Sequence, residues 1–111
     1  MECGNCCGYA HRNDVDDVGF IAAVLDVMGS EYGADMHRVY LTGHSNGGMM
    51  TYRLACQMAD RFAAVAPVAG ALNEATCTPS RPLPVLILHG EDDLNVPFHG
   101  DVTGSRCCGR R

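Results

Sequence analysis

Gly43-His44-Ser45-Asn46-Gly47 is the segment of this sequence whose residue types and spacing are suited to chemistry. A serine with a glycine two residues to either side, set between an apolar strand-like run and a helical run, marks a sharp strand-to-helix reversal. The reversal strains the serine backbone and carries its hydroxyl to the tip of the turn, facing the helix N-terminus. Helix dipole and amide groups there favour a developing negative charge. Ser45 is therefore the candidate nucleophile, and the backbone N–H of Asn46 the candidate first oxyanion donor. Side chains on the flanking positions would clash, which accounts for Gly43 and Gly47.

A serine nucleophile needs a base, and the base needs an orienting carboxylate. In folds with this turn the chain order is serine, acid, histidine. The apolar run at 84–89 is followed by Gly90-Glu91-Asp92-Asp93-Leu94-Asn95-Val96-Pro97. A carboxylate at the C-terminal end of a parallel strand shares a rim with the serine. Residue physics alone leaves Glu91, Asp92 and Asp93 nearly equivalent. His99 follows Asp93 by only six residues, too few for a crossover and a further strand. His89 is expected to cap its strand through hydrogen bonds and His44 to shape the turn. His11 and His37 read as surface residues.

These groups must be positioned by regular elements. Val18, Ile21, Leu25 and Met28 recur at three- and four-residue intervals, widened by Phe20 and Val24, and predict an amphipathic helix over residues 16–32. Asp14, Asp16 or Asp17 can cap it, and Gly33 can stop it. A strand is predicted at 38–42, a Gly-rich turn at 43–48, and a second helix at 49–59 with Met50, Leu54 and Met58 on one face. Further strands are predicted at 63–68 and 84–89, separated by a loop carrying Pro79 and Pro82. This alternation is that of an α/β domain with a parallel sheet and crossover helices. Continuous apolar strands suit a sheet covered by helices on both faces. Three strands make a thin core with two exposed edges, as in a piece of a larger domain.

Composition narrows the field. The chain has 111 residues, 47% of them hydrophobic, and thirteen acidic residues against eight basic ones give a net charge of −5. That balance argues against a nucleic-acid or anionic-membrane surface. No apolar stretch approaches the ~18 residues of a membrane span, and Met1-Glu2-Cys3-Gly4-Asn5 lacks the pattern of a secretory signal. Seven cysteines are many for this length and suggest an oxidising compartment. Cys3-Gly4-Asn5-Cys6 has CxxC spacing, but its only partner pair, Cys107-Cys108, is adjacent and unsuited to tetrahedral zinc. Cys56 and Cys77 read as buried small residues or a structural disulfide. Neither a metal nor a cofactor is implied.

Taken together, Asp16-Asp17-Val18-Gly19-Phe20-Ile21, the elbow continued through Gly48-Met49-Met50, and Tyr52-Arg53-Leu54-Ala55-Cys56 resemble polyhydroxybutyrate depolymerase-type serine esterases. That family of α/β-hydrolases includes feruloyl-esterase-like and acetyl-xylan-esterase-like members. The segment 62–70 and His89-Gly90-x-x-Asp93-x-x-Val96-Pro97 continue the likeness in order, over residues 4 to 100. The resemblance implies a partial α/β-hydrolase domain over residues 1–100, with Asp93 as triad acid. It implies an ester substrate, of polyester or plant cell wall, and an extracellular setting. It also places the second oxyanion loop before Asp16 and the catalytic histidine on a later loop beyond this chain. A peptidase of the same fold shares elbow and acid, and an inactive fragment is the third reading. Residues 101–111 depart from the family pattern and are expected to form a disordered tail.

Overall fold

The structure, a computed structural model, describes residues 10 and 12–100. Helix α1 spans Asp17–Ser30 and is capped by Asp16, whose carboxylate accepts from the Gly19 amide at 2.8 Å. It closes where Gly33 takes φ +65° and Ala34 N–H donates back to Met28. Strand β1 is Tyr40–His44, helix α2 is Asn46–Gln57, a short 3-10 turn covers Ala59–Arg61, and strand β2 is Ala64–Val68.

The first strand begins and ends two residues later than its sequence pattern suggested. Arg38 belongs to the preceding turn instead, its amide and guanidinium both held by Asp35. At the other end the strand runs up to the elbow itself. Helix α2 likewise starts earlier, taking Asn46, Gly47 and Gly48 out of the expected Gly-rich turn.

β1 and β2 pair in parallel, with Leu41 opposite Val65 and His44 opposite Val68. The segment 84–89 lies along the other edge of β2, also parallel, bridged at Val65–Val85 and Val68–Leu88. Its ladder is broken for a covalent reason. Val65 N–H donates to Pro84 O, Leu86 N–H to Val65 O, Leu88 N–H to Pro67 O and Ala69 N–H to Leu88 O. A bond to Leu86 O is the one missing from this sequence of partners, and Pro67 has no N–H to make it. The third strand is therefore two short clamps instead of a continuous ladder.

Both helices pack on one face of this sheet. Met50, Leu54, Phe62 and Val65 form the core, with Leu54 only 1% exposed, and Val18, Ile21 and Leu25 of α1 close over it. The expectation of helices on both faces therefore fails among the described residues. The opposite face is an apolar concavity of about 530 Å³ that includes Thr42, Ala66 and Leu86. Half of the α1 stripe is also left uncovered, with Phe20 65% exposed. The disulfide Cys56–Cys77 ties the C-terminal turn of α2 to the 70–83 loop, and Arg61 pairs with Asp26 of α1 at 2.6 Å. Cys3, Cys6, Cys107, Cys108 and the expected tail at 101–111 lie outside the described residues. No helix among the described residues is long and apolar enough to cross a membrane.

With so small a core, the covalent tie should matter. A disulfide closing 21 residues restricts the unfolded chain by about 3 kcal/mol. A Cys56→Ala/Cys77→Ala variant should lose unfolding free energy of that order, read by chemical denaturation.

Candidate functional site

Ser45 stands between β1 and α2 with φ 55° and ψ −114°, a backbone conformation that L-residues rarely adopt. Its amide donates to Val68 O at 2.8 Å, anchoring the turn to the end of β2, and its carbonyl accepts from Met49 N–H. The hydroxyl makes no cap to the helix it precedes. That is unusual for a serine in an N-cap position, where the side chain ordinarily satisfies a first-turn amide. Asn46 opens α2, so its backbone amide points out of the N-terminal end of the helix. Thr51, buried in the next turn, returns its hydroxyl to Gly47 O at 2.8 Å and braces the first turn.

The glycines around the elbow have unequal work. A Cβ at Gly43 would run into the backbone of Gly47, as the motif suggested. A Cβ at Gly47 would meet nothing within 4 Å, so its own side chain is not what the turn excludes. A second constraint lies outside the motif. A Cβ on Gly48 would lie 2.7 Å from Val68 O, and one on Gly70 would lie 2.6 Å from Gly48 C. The first turn of α2 thus sits directly on the backbone at the end of β2. Gly70, two residues past the end of an apolar strand, is the signal that could reveal it.

The acid loop reaches the same rim. Met49 in the first turn of α2 and Val96 form one buried cluster, joined by Ala71. Asp93 Oδ1 accepts from the amides of Asn95 at 2.8 Å and Val96 at 2.9 Å. These two hydrogen bonds, first that from Val96, hold the Asp93 carboxyl below the usual carboxylate range, aided by the nearby His89 and His44. Glu91 and Asp92 are exposed, whereas Asp93 is half-buried. The structure therefore separates three acids that residue type alone could not.

His89 does tie its strand end to the loop, through Nε2 to Val96 O at 2.6 Å. His44 is exposed at the end of β1 and close enough to Asp93 to favour the charged carboxylate. His99 packs edge-on against Phe98, with ring centroids 5.1 Å apart. His37 is exposed, as expected, and His11 lies outside the described residues. A cavity of about 320 Å³ beside the loop is lined by Tyr52, His89, Val96 and Phe98, and burial there pushes the Tyr52 hydroxyl up. The larger concavity on the open sheet face holds none of these groups. Among the described residues no cluster of three or more His, Cys, Asp or Glu could hold a metal ion.

Residues 8–78 match the prolyl oligopeptidase family. The chain belongs to that family. The chain is 39% identical over 77 residues to the bifunctional acetylxylan esterase/xylanase XynS20E of Neocallimastix patriciarum. That alignment takes in 69% of the chain and 12% of the relative. It is 35% identical over 105 residues to feruloyl esterase B of Piromyces equi, covering 90% of the chain and 19% of the relative. A solved structure titled as that of a thermostable esterase superposes with a TM-score of 0.64 at 27% identity, over 75% of this chain and 22% of that one. The chain thus spans about a fifth or less of the curated relatives named here. The fold is part of the α/β-hydrolase fold, and the resemblance to feruloyl-esterase-like proteins holds.

The prolyl oligopeptidase family chain should discriminate sharply between its adjacent glycines. Gly48→Ala meets backbone that cannot give way and should cost about 1–3 kcal/mol. Gly47→Ala meets open space in a helix and should be within about 1 kcal/mol of neutral or better. Thermal and urea denaturation of the two variants checks this.

Asp93 sets a pH dependence of known sign. Because its folded-state affinity for protons is lowered, its contribution to stability is present above about pH 4 and is lost as pH falls through its depressed value. The stability gap between wild type and Asp93→Asn should be flat near neutrality and shrink below about pH 4. Urea titrations at stepped pH values measure that gap.

Proposed function

We propose that the protein carrying this chain is a serine hydrolase of carboxylic esters, with Ser45 as nucleophile, Asp93 as triad acid and the Asn46 amide as an oxyanion donor. The observation that carries this reading is the strained Ser45 backbone, with its hydroxyl left out of helix capping, on the rim that Met49 and Val96 share with the Asp93 loop. Esterase names among its relatives support the same class.

In the proposed reaction the Ser45 hydroxyl attacks the ester carbonyl while a histidine base takes its proton. The base comes from outside the described residues. The oxyanion of the tetrahedral intermediate is stabilised by the Asn46 N–H at the positive end of α2. The same histidine protonates the departing alcohol, and water then releases the acid from the acyl-serine. Asp93 orients the histidine and stabilises its imidazolium. Substrates of this class are plant cell-wall esters, feruloyl or acetyl, or a polyester such as polyhydroxybutyrate. The Cys56–Cys77 disulfide supports an oxidising, extracellular setting, and the acidic balance supports a function away from nucleic acid.

A second reading, cleavage of peptides, draws on the prolyl oligopeptidase family match, which covers the elbow but ends before Asp93. Ester and peptide substrates separate the two.

The 111-residue chain should hydrolyse p-nitrophenyl acetate no faster than buffer. A chain extended by the histidine loop that the resemblance implies should hydrolyse it, and Ser45→Ala there should lower kcat by on the order of a million-fold. Robust turnover by the 111-residue chain, lost on His99→Ala, would show that the base lies within it. A prolyl peptide cleaved in preference to feruloyl, acetyl and polyester substrates would favour the peptidase.

A further inference from the structure

We propose that His89 is the positioning residue of the acid: it fixes the Asp93 loop through the Val96 carbonyl while keeping its own ring proton off the carboxylate. The inference rests on Asp93 being the acid of the serine triad, and it gives work to a buried side chain which that mechanism leaves idle.

The His89 side chain is 7% exposed, so its ring N–H needs a partner inside the protein. Nε2 lies 2.6 Å from Val96 O. A carbonyl oxygen only accepts, so Nε2 carries the proton. Val96 is thereby gripped at three points. Its amide is held by Asp93 Oδ1, its carbonyl by His89, and its side chain by Met49 in the first turn of the elbow helix. The Phe98 ring, 5.8 Å away and tilted by 55°, leans on the imidazole from the loop beyond.

Val96 therefore converts the position of His89 into the position of Asp93. Oδ1 of Asp93 is committed to two amides. Oδ2 lies 3.8 Å from His89 Nε2, beyond hydrogen-bond length. A ring N–H so near a carboxylate would close on it were the proton not already given to Val96. With that proton diverted, Oδ2 is left to orient a second imidazole, the one that serves Ser45. An Nδ1-protonated His89 would lose the carbonyl and release the loop.

The test uses the intact protein. Nitrogen-15 NMR should find His89 as the Nε2–H tautomer near neutral pH, in wild type and in Ser45→Ala alike. His89→Leu removes the donor, and kcat on p-nitrophenyl acetate should fall by about 100-fold while KM stays within about threefold. His89→Gln can return an N–H to Val96 O and should recover kcat to within about fivefold of wild type. An Nδ1–H tautomer overturns the proposal, as does His89→Leu with unchanged kcat. So does a His89→Gln variant of wild-type thermal midpoint whose kcat stays down 100-fold. That last comparison decides the matter even where His89→Leu fails to fold. The tautomer is read without turnover, so a Ser45→Ala variant with full ester hydrolysis would instead overturn the nucleophile assignment.

Discussion

The arrangement hangs on one close approach of backbone to backbone. Gly48 in the first turn of α2 lies against Val68 O and Gly70, with no room for a side chain at either glycine. The approach lets Ser45 N–H reach Val68 O, and that bond holds the serine in its left-handed conformation. Backbone strain at a single residue persists only where the surroundings over-determine it. Here they do so from three directions: the pairing of β1 with β2, the helix that must begin at Asn46, and the absent side chains. Buried apolar area contributes the fold in general; the elbow itself depends on space left empty.

From that anchor the rim is assembled by contacts that each do two things. Met49 is both the partner of the Ser45 carbonyl and the seat for Val96. Val96 both fills the gap beside Met49 and offers its amide to Asp93. The 70–83 loop, fastened by Cys56–Cys77, returns Asn73 to the Met49 sulfur at 3.4 Å and sets Glu74 3.7 Å from Arg53. Ser45 and Asp93 come from segments far apart in sequence, yet few side chains intervene between them. Such short chains of packing keep relative positions well defined even around a core this small.

What could be read from the sequence was what local chemistry decides. The three- and four-residue spacing of Val18, Ile21 and Leu25, with Asp16 ahead of it, is sufficient to place α1. The glycines around Ser45 are sufficient to place the elbow between a strand and a helix. Features that depend on register stayed hidden. Gly48 and Gly70 are neighbours only once β1 and β2 are aligned, whereas a disulfide at Cys56 and Cys77 was one of two readings the residues allowed, and the loop that doubles back decides for it. Pro67 looks harmless near the end of a strand, and its effect follows from β2 lying in the middle. Asp93 was set apart from Glu91 and Asp92 by family likeness, because the amides that hold it are delivered by a turn whose geometry residue types do not reveal. The uncovered sheet face follows the same logic: continuous apolar strands announce burial on both sides, but not which residues provide it.

The gap that Pro67 leaves in the ladder divides the third strand mechanically. Its lower clamp, at Pro84 and Leu86, and its upper clamp, at Leu88, are separated by a carbonyl to which the middle strand can offer no proton. Fraying that enters from the Pro84 end meets a break before it reaches His89. The Asp93 loop therefore hangs from the upper clamp and from Val96, and is insulated from whatever happens at the base of its own strand. An edge strand ordinarily passes a disturbance along its length through successive hydrogen bonds; here a single imino acid interrupts the transmission.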